Sequence, residues 1–214
     1  MSAPSETTVP HASLLDRVPV VPVVIVDDLA HAVPIARALV AGGLPVIELT
    51  LRTPVALDAI RAIADEVPEI LLGAGTITTP AQAEEAVAAG AQFLVSPGAT
   101  PTLLSAMGAT GVPFLPGTAT VSEALAVLEA GYAEMKFFPA EVSGGAAYLK
   151  AISSPLPAAR FCPTGGITPA NASSYLALPN VGCVGGTWLT PADAVDTGDW
   201  GRVTALAAQA AGLR

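Results

Sequence analysis

Charge is what this 214-residue chain has least of. Charged residues make up 13% of it, and nine Lys and Arg stand against eighteen Asp and Glu, a formal net charge of −9. Such a field repels phosphate polyanions, which argues against nucleic acid and anionic membranes as partners. Long apolar runs are missing too. The longest, residues 18–26, carries Pro19 and Pro22 and falls far short of the roughly 20 residues that span a bilayer. The opening MSAPSETTVP has neither a basic start nor an apolar segment, so no secretory signal is expected. Cysteine is nearly absent: Cys162 and Cys183 lack metal-ligand spacing and read as buried free thiols in a reducing compartment, with the cytoplasm as the expected location. Both histidines, His11 and His31, lie near the N-terminus without a carboxylate or thiol cluster at ligand spacing, so no metal site is expected.

What the chain has in abundance is apolar residues, 52%, punctuated by twenty glycines and twenty prolines. That composition excludes disorder, and the length suits one domain around one core. Short β-branched runs begin near Val20, Val46, Ile70, Phe93, Pro113, Ala133, Arg160 and Val181. Each interval holds about one strand, two short loops and one helix. Helices are expected over 30–41, 54–66, 80–89, 101–109, 121–130, 145–152, 169–177 and 200–211. Four of these begin at a proline, which loses no hydrogen bond in a first helical turn, and Gly42-Gly43 closes the first. Eight alternating units predict an α/β fold, a (β/α)8 TIM barrel forming a single domain over 10–214. Residues 1–9 read as a flexible tail and 11–17 as a short N-terminal helix plugging the bottom. A doubly wound open sheet is the second choice.

In a barrel the reacting groups belong at the C-terminal ends of the strands. Glu48, Thr50 and Arg52 share one face of their run, while Ile47, Leu49 and Leu51 share the other and must meet the helices. Glu48 and Arg52 therefore point into the barrel or its mouth, as catalytic groups or as an ion pair without a catalytic role. Lys136, one of two lysines, sits among Met135, Phe137 and Phe138, and lysines rarely enter cores without a reason. Apolar surroundings disfavour an ammonium, which is how Schiff-base lysines are activated. The competing reading has Lys136 held by Glu134 or Glu48 for structure alone. Lys150 reads as a surface residue on a helix, and Glu141 as a helix-start carboxylate engaged in capping or with the dipole. The last two strand runs end in glycine pairs, Gly165-Gly166 and Gly185-Gly186. Loops there are the usual phosphate site of this barrel, with backbone N–H groups in place of cations; plain tight turns are the alternative.

The segments PVVPVVIV, ELTLRT, GAGTI, AGAQFLVSPG, MKFFPAE, RFCPTGGI and GGTWL, in this order, closely resemble the bacterial 2-keto-3-deoxy-6-phosphogluconate (KDPG) aldolase family. The likeness runs from about residue 18 to about residue 199, and members often also cleave 4-hydroxy-2-oxoglutarate. The resemblance implies a (β/α)8 barrel, a homotrimer, no metal or other cofactor, and a class I mechanism acting on a small-molecule 2-keto acid phosphate. Products would be pyruvate with glyceraldehyde 3-phosphate in the Entner-Doudoroff pathway, or pyruvate with glyoxylate. Carried over by motif, Lys136 is the Schiff-base lysine and Glu48 the proton-transfer group. Arg52, Thr76 and Pro97 contact the pyruvate half, and Phe138 joins the substrate-binding residues. Thr164 stands near the hydroxyl centre, and Gly165, Gly166, Gly185, Gly186 and Thr187 face the phosphate. Thr187 departs from the serine often found there but keeps a hydroxyl. Rival readings are an aldolase for the galactonate epimer, a metal-dependent pyruvate aldolase, which would need the ligand cluster this sequence lacks, and a sugar-phosphate binder without chemistry.

Overall fold

The computed structural model describes residues 13–213; the expected tail over 1–9 and His11 lie outside them. Strands β1 (Val20–Val24), β2 (Val46–Thr50), β3 (Leu71–Gly75), β4 (Phe93–Val95) and β5 (Phe114–Leu115) pair in succession. With β9 (Val184–Gly186) they form a six-stranded sheet of order β5-β4-β3-β2-β1-β9. A three-stranded sheet joins β6 (Gly117–Thr118), β7 (Glu134–Phe137) and β8 (Arg160–Pro163). Every pairing is parallel. β1 and β2 are buried at all positions, as strands covered on both faces require.

All eight expected runs are present, but the fifth is divided. Only Pro116 separates β5 from β6; Ser96 N–H donates to Leu115 O on one side of it, while Pro116 O accepts from Lys136 N–H on the other. The chain changes partners there, from β4 to β7. At the other edge, parallel bridges Phe161↔Val181 and Thr164↔Gly185 tie the β8 segment to the β9 segment.

Helices α1 (Ala32–Ala41), α2 (Ala56–Glu66), α3 (Pro80–Ala88), α4 (Pro101–Ala109), α5 (Val121–Glu129), α6 (Gly145–Ile152), α7 (Ala172–Leu176), α8 (Ala192–Asp196) and α9 (Trp200–Ala211) fill the intervals. Pro80 and Pro101 open their helices behind the caps Thr79 and Thr100. Pro54 and Pro169 do not: α2 and α7 begin after turns in which Ala56 N–H bonds Thr53 O and Asn171 N–H bonds Thr168 O. α8, behind Pro191, was not expected from the sequence.

Where the N-terminal helix was expected, a 3-10 turn, Leu14–Asp16, buries Leu14 and Leu15. Arg160 at the start of β8 holds it, donating to Asp16 Oδ1 at 2.6 Å and to Ser13 Oγ at 3.2 Å. The hydrogen bond to Asp16 keeps the guanidinium above its ordinary pKa. Glu134, the first residue of β7, belongs to this cluster: it accepts from Arg160 at 3.1 Å and from Ser13. It therefore does not serve Lys136, which the sequence had left as one of two options.

Candidate active site

Lys136 on β7 and Glu48 on β2 come from different sheets and meet in the interior. Nζ donates to Oε1 at 3.1 Å, with the residues 3% and 2% exposed. A charge pair this dry is held only when each partner answers the other. The face shared by Glu48 and Thr50, read from strand parity, is the inward one: Thr50 is buried and its hydroxyl donates to Val24 O at 3.1 Å. The Phe138 ring lies with its centroid 5.3 Å from Nζ, within cation–π range.

Gly75, the last residue of β3, is what admits the carboxylate. A Cβ built on it would overlap Glu48 Oε1 and stand 2.6 Å from Glu48 Cγ. The sequence reading took only the neighbouring threonine from this motif and missed the glycine. That neighbour, Thr76, has φ +62°, an outlier for a β-branched side chain of the kind stored at functional sites. Its Oγ1 accepts from Arg52 Nε at 2.9 Å. Arg52 is exposed beyond the end of β2, and its terminal nitrogens have no partner among the described residues. Pro97, after β4, is half-buried against Gly117, whose missing side chain makes room for the Pro97 carbonyl.

Thr164 follows β8 and is 4% exposed. A Cβ on Gly185 would overlap its Oγ1, and one on Gly186 would overlap the Trp188 ring, so both glycines of β9 are set by close packing. Gly165 and Gly166 have φ +97° and +81°, where glycine alone sits at ease. The loop's carbonyls are turned to the protein: Thr164 O accepts from Ala140 N–H at 2.8 Å and Gly165 O from Glu141 N–H at 3.1 Å. Gly166 O accepts from the Asn171 side-chain amide at 3.0 Å. The Gly166 N–H has no acceptor among the described residues. Thr187, exposed after β9, lines a cleft of about 320 Å³ with Val23, Asp27, His31 and Asp196.

Lys150 is exposed in the last turn of α6. Cys162 and Cys183 are buried and form no disulfide, and Cys162 is in register with Lys136. Glu141 does not cap α6, whose N-cap is Gly144; its carboxylate accepts from the Tyr175 hydroxyl instead. Among the described residues no group of three or more His, Cys, Asp or Glu is placed to hold a metal ion, and no helix is long and apolar enough to cross a membrane.

Fold and site together define an α/β enzyme built around a buried amine–carboxylate pair, the arrangement a Schiff-base lyase needs. The family model described as KDPG and KHG aldolase matches residues 12–206, and the chain belongs to that family. The KHG/KDPG aldolase of Escherichia coli (strain K12) is 56% identical over 198 residues, 92% of this chain and 93% of that protein. The structure of KDPG aldolase from Legionella pneumophila, with pyruvate captured at low pH as a covalent carbinolamine intermediate, has a TM-score of 0.91 at 46% identity, covering 92% of this chain and 96% of its own. The 2-keto-3-deoxy-6-phosphogluconate aldolase of Zymomonas mobilis ZM4 with 3-phosphoglycerate follows at 0.88 and 46%, covering 94% of each chain.

Proposed function

We propose that this protein is a class I aldolase that cleaves KDPG to pyruvate and glyceraldehyde 3-phosphate, and 4-hydroxy-2-oxoglutarate to pyruvate and glyoxylate. One observation carries the reading: the only buried lysine among the described residues touches a buried glutamate at 3.1 Å, in a family whose Legionella member holds pyruvate as a carbinolamine. In this mechanism the Lys136 amine, once its extra proton is lost to solvent, attacks the C2 ketone. The carbinolamine hydroxyl takes a proton from solvent and departs as water, leaving an iminium while Glu48 stays ionised. Glu48 then takes the C4 hydroxyl proton, the C3–C4 bond breaks, and its electrons move into the iminium to give an enamine as the aldehyde departs. The carboxylic acid returns the proton to C3, and hydrolysis releases pyruvate. Only an amine forms the iminium, and one carboxylate can serve both carbons in turn.

Around this pair, Arg52 grips the substrate carboxylate with the fork its Thr76 contact leaves open, and Pro97 and Phe138 wall the pyruvate half. Thr164 faces the C4 hydroxyl. Gly165, Gly166, Gly185, Gly186 and Thr187 surround the phosphate, and the free Gly166 N–H supports that assignment. Exchange of Arg52 for Lys removes both the planar fork and the Nε bond to Thr76; KM for KDPG is expected to rise about tenfold with a smaller change in kcat, in steady-state assays. Gly75→Ala forces the Glu48 carboxylate off Lys136. Displacements of about 1 Å cost on the order of 10²-fold, and kcat/KM is expected to fall by that much while the far-UV circular dichroism spectrum is unchanged.

Borohydride reduction in the presence of pyruvate tests the function directly. A reduced pyruvyl adduct localised to Lys136 supports it; no adduct, or complete loss of activity on adding a chelator, refutes it. Comparing kcat/KM for KDPG, its galactonate epimer and 4-hydroxy-2-oxoglutarate ranks the substrates. We further read the two sheets as one closed (β/α)8 barrel forming a single catalytic domain, on the strength of the strand division at Pro116 and the bridges from the β8 segment to the β9 segment; the scarcity of cysteine supports a cytoplasmic location. The family resemblance supports a homotrimer. Light scattering on the eluting protein is expected to give three times the 21.3 kDa chain mass.

A further inference from the structure

Glu141 has no part in the chemistry assigned to Lys136 and Glu48, yet it touches the Gly165-Gly166 loop in two ways. Its backbone N–H donates to Gly165 O at 3.1 Å. Its side chain lies against the face of Gly166, where a Cβ would stand 2.6 Å from Glu141 Cγ and 2.7 Å from Glu141 Cβ. Gly166 is thus clamped between the Glu141 side chain and the Asn171 amide that takes its carbonyl.

The carboxylate is itself anchored. Tyr175, on α7, is 1% exposed and donates its hydroxyl to Glu141 Oε1. Burial first, and the hydrogen bond to Glu141 next, push the phenol well above its ordinary pKa, so it remains an O–H donor throughout the neutral range. Gly145 encloses the contact: a Cβ there would lie 3.3 Å from the Tyr175 hydroxyl and 3.6 Å from Glu141 Oε1. A negative charge beside an anion-binding loop works against the anion. Its contribution here is geometric.

We propose that Glu141 and Tyr175 are positioning residues that hold the Gly165-Gly166 loop in its phosphate-accepting shape, and so set the preference for phosphorylated over unphosphorylated keto acids. This rests on the reading that the loop takes the phosphate. In Tyr175→Phe and Glu141→Ala the ratio of kcat/KM for KDPG to that for 4-hydroxy-2-oxoglutarate is expected to fall about tenfold, the scale of one hydrogen bond to a charged group, chiefly through KM for KDPG. Glu141→Gln keeps the acceptor and the packing and is expected to restore most of the ratio. A ratio that stays at its wild-type value in both variants, with thermal melts showing them folded, overturns the proposal. Competition by glycerol 3-phosphate against KDPG separates the two layers. Competitive inhibition of the wild type that weakens in the variants supports the pair's role. Equal inhibition in all of them overturns that role alone, and no competition in the wild type overturns the phosphate reading with it.

Discussion

Lys136→Met is expected to lower kcat/KM by on the order of 10⁵-fold and to abolish the borohydride-trapped adduct. Methionine matches the length of the lysine stem and fills the same space beside Phe138, so the loss isolates the nucleophile. Removing a covalent nucleophile takes away nearly all the acceleration that depends on the intermediate. The same change strands Glu48, 2% exposed, without its cation. Removing one partner of a buried ion pair costs about 3–5 kcal/mol. At this chain length each kcal/mol moves Tm by roughly 2–4 °C, so calorimetry is expected to show a drop on the order of 10 °C. The double variant Lys136→Met, Glu48→Gln removes the stranded charge and is expected to regain much of that Tm with no return of turnover. Activity near wild type in the single variant would remove Lys136 from the mechanism.

Glu48→Gln separates proton transfer from iminium formation. The amide oxygen still accepts from Lys136 across the 3.1 Å contact, but it can neither take the C4 hydroxyl proton nor return one to C3. General acid–base groups contribute about 10²–10⁴-fold, and kcat is expected to fall within that range while pyruvate remains trappable on Lys136. Turnover at the wild-type rate would assign the proton transfers elsewhere; loss of both adduct and turnover would assign Glu48 to iminium formation as well.

Much of this architecture is legible from periodicity. The runs at Val20, Val46, Phe93 and Arg160 begin strands at those residues, and three others begin one residue late. The eighth starts at Val184 because Val181 makes only an isolated bridge to Phe161, while Gly182 packs against Leu15. Parity turned Glu48 inward, where it meets Lys136, since alternation along a strand is a local property. What stayed hidden was set by distant partners. The need for glycine at position 75 is imposed by Glu48 on the neighbouring strand, and the task of Glu141 by Tyr175 on α7. Neither leaves a mark in its own segment. Glu134 shares parity with Lys136, but two residues of strand span about 6.6 Å. That rise is enough to carry it out of the site and into the cluster around Arg160.

β7 is therefore a short beam with a different duty at each end. At Glu134 it is bolted through Arg160 to Asp16 and the N-terminal turn; at Lys136 it presents the amine. Because the two share no hydrogen bond, the floor of this protein can be hardened or loosened to suit a hotter or colder host while the bond it breaks stays the same. The N-terminal turn and the catalytic carboxylate are thus held from opposite ends of the same four residues through separate partners.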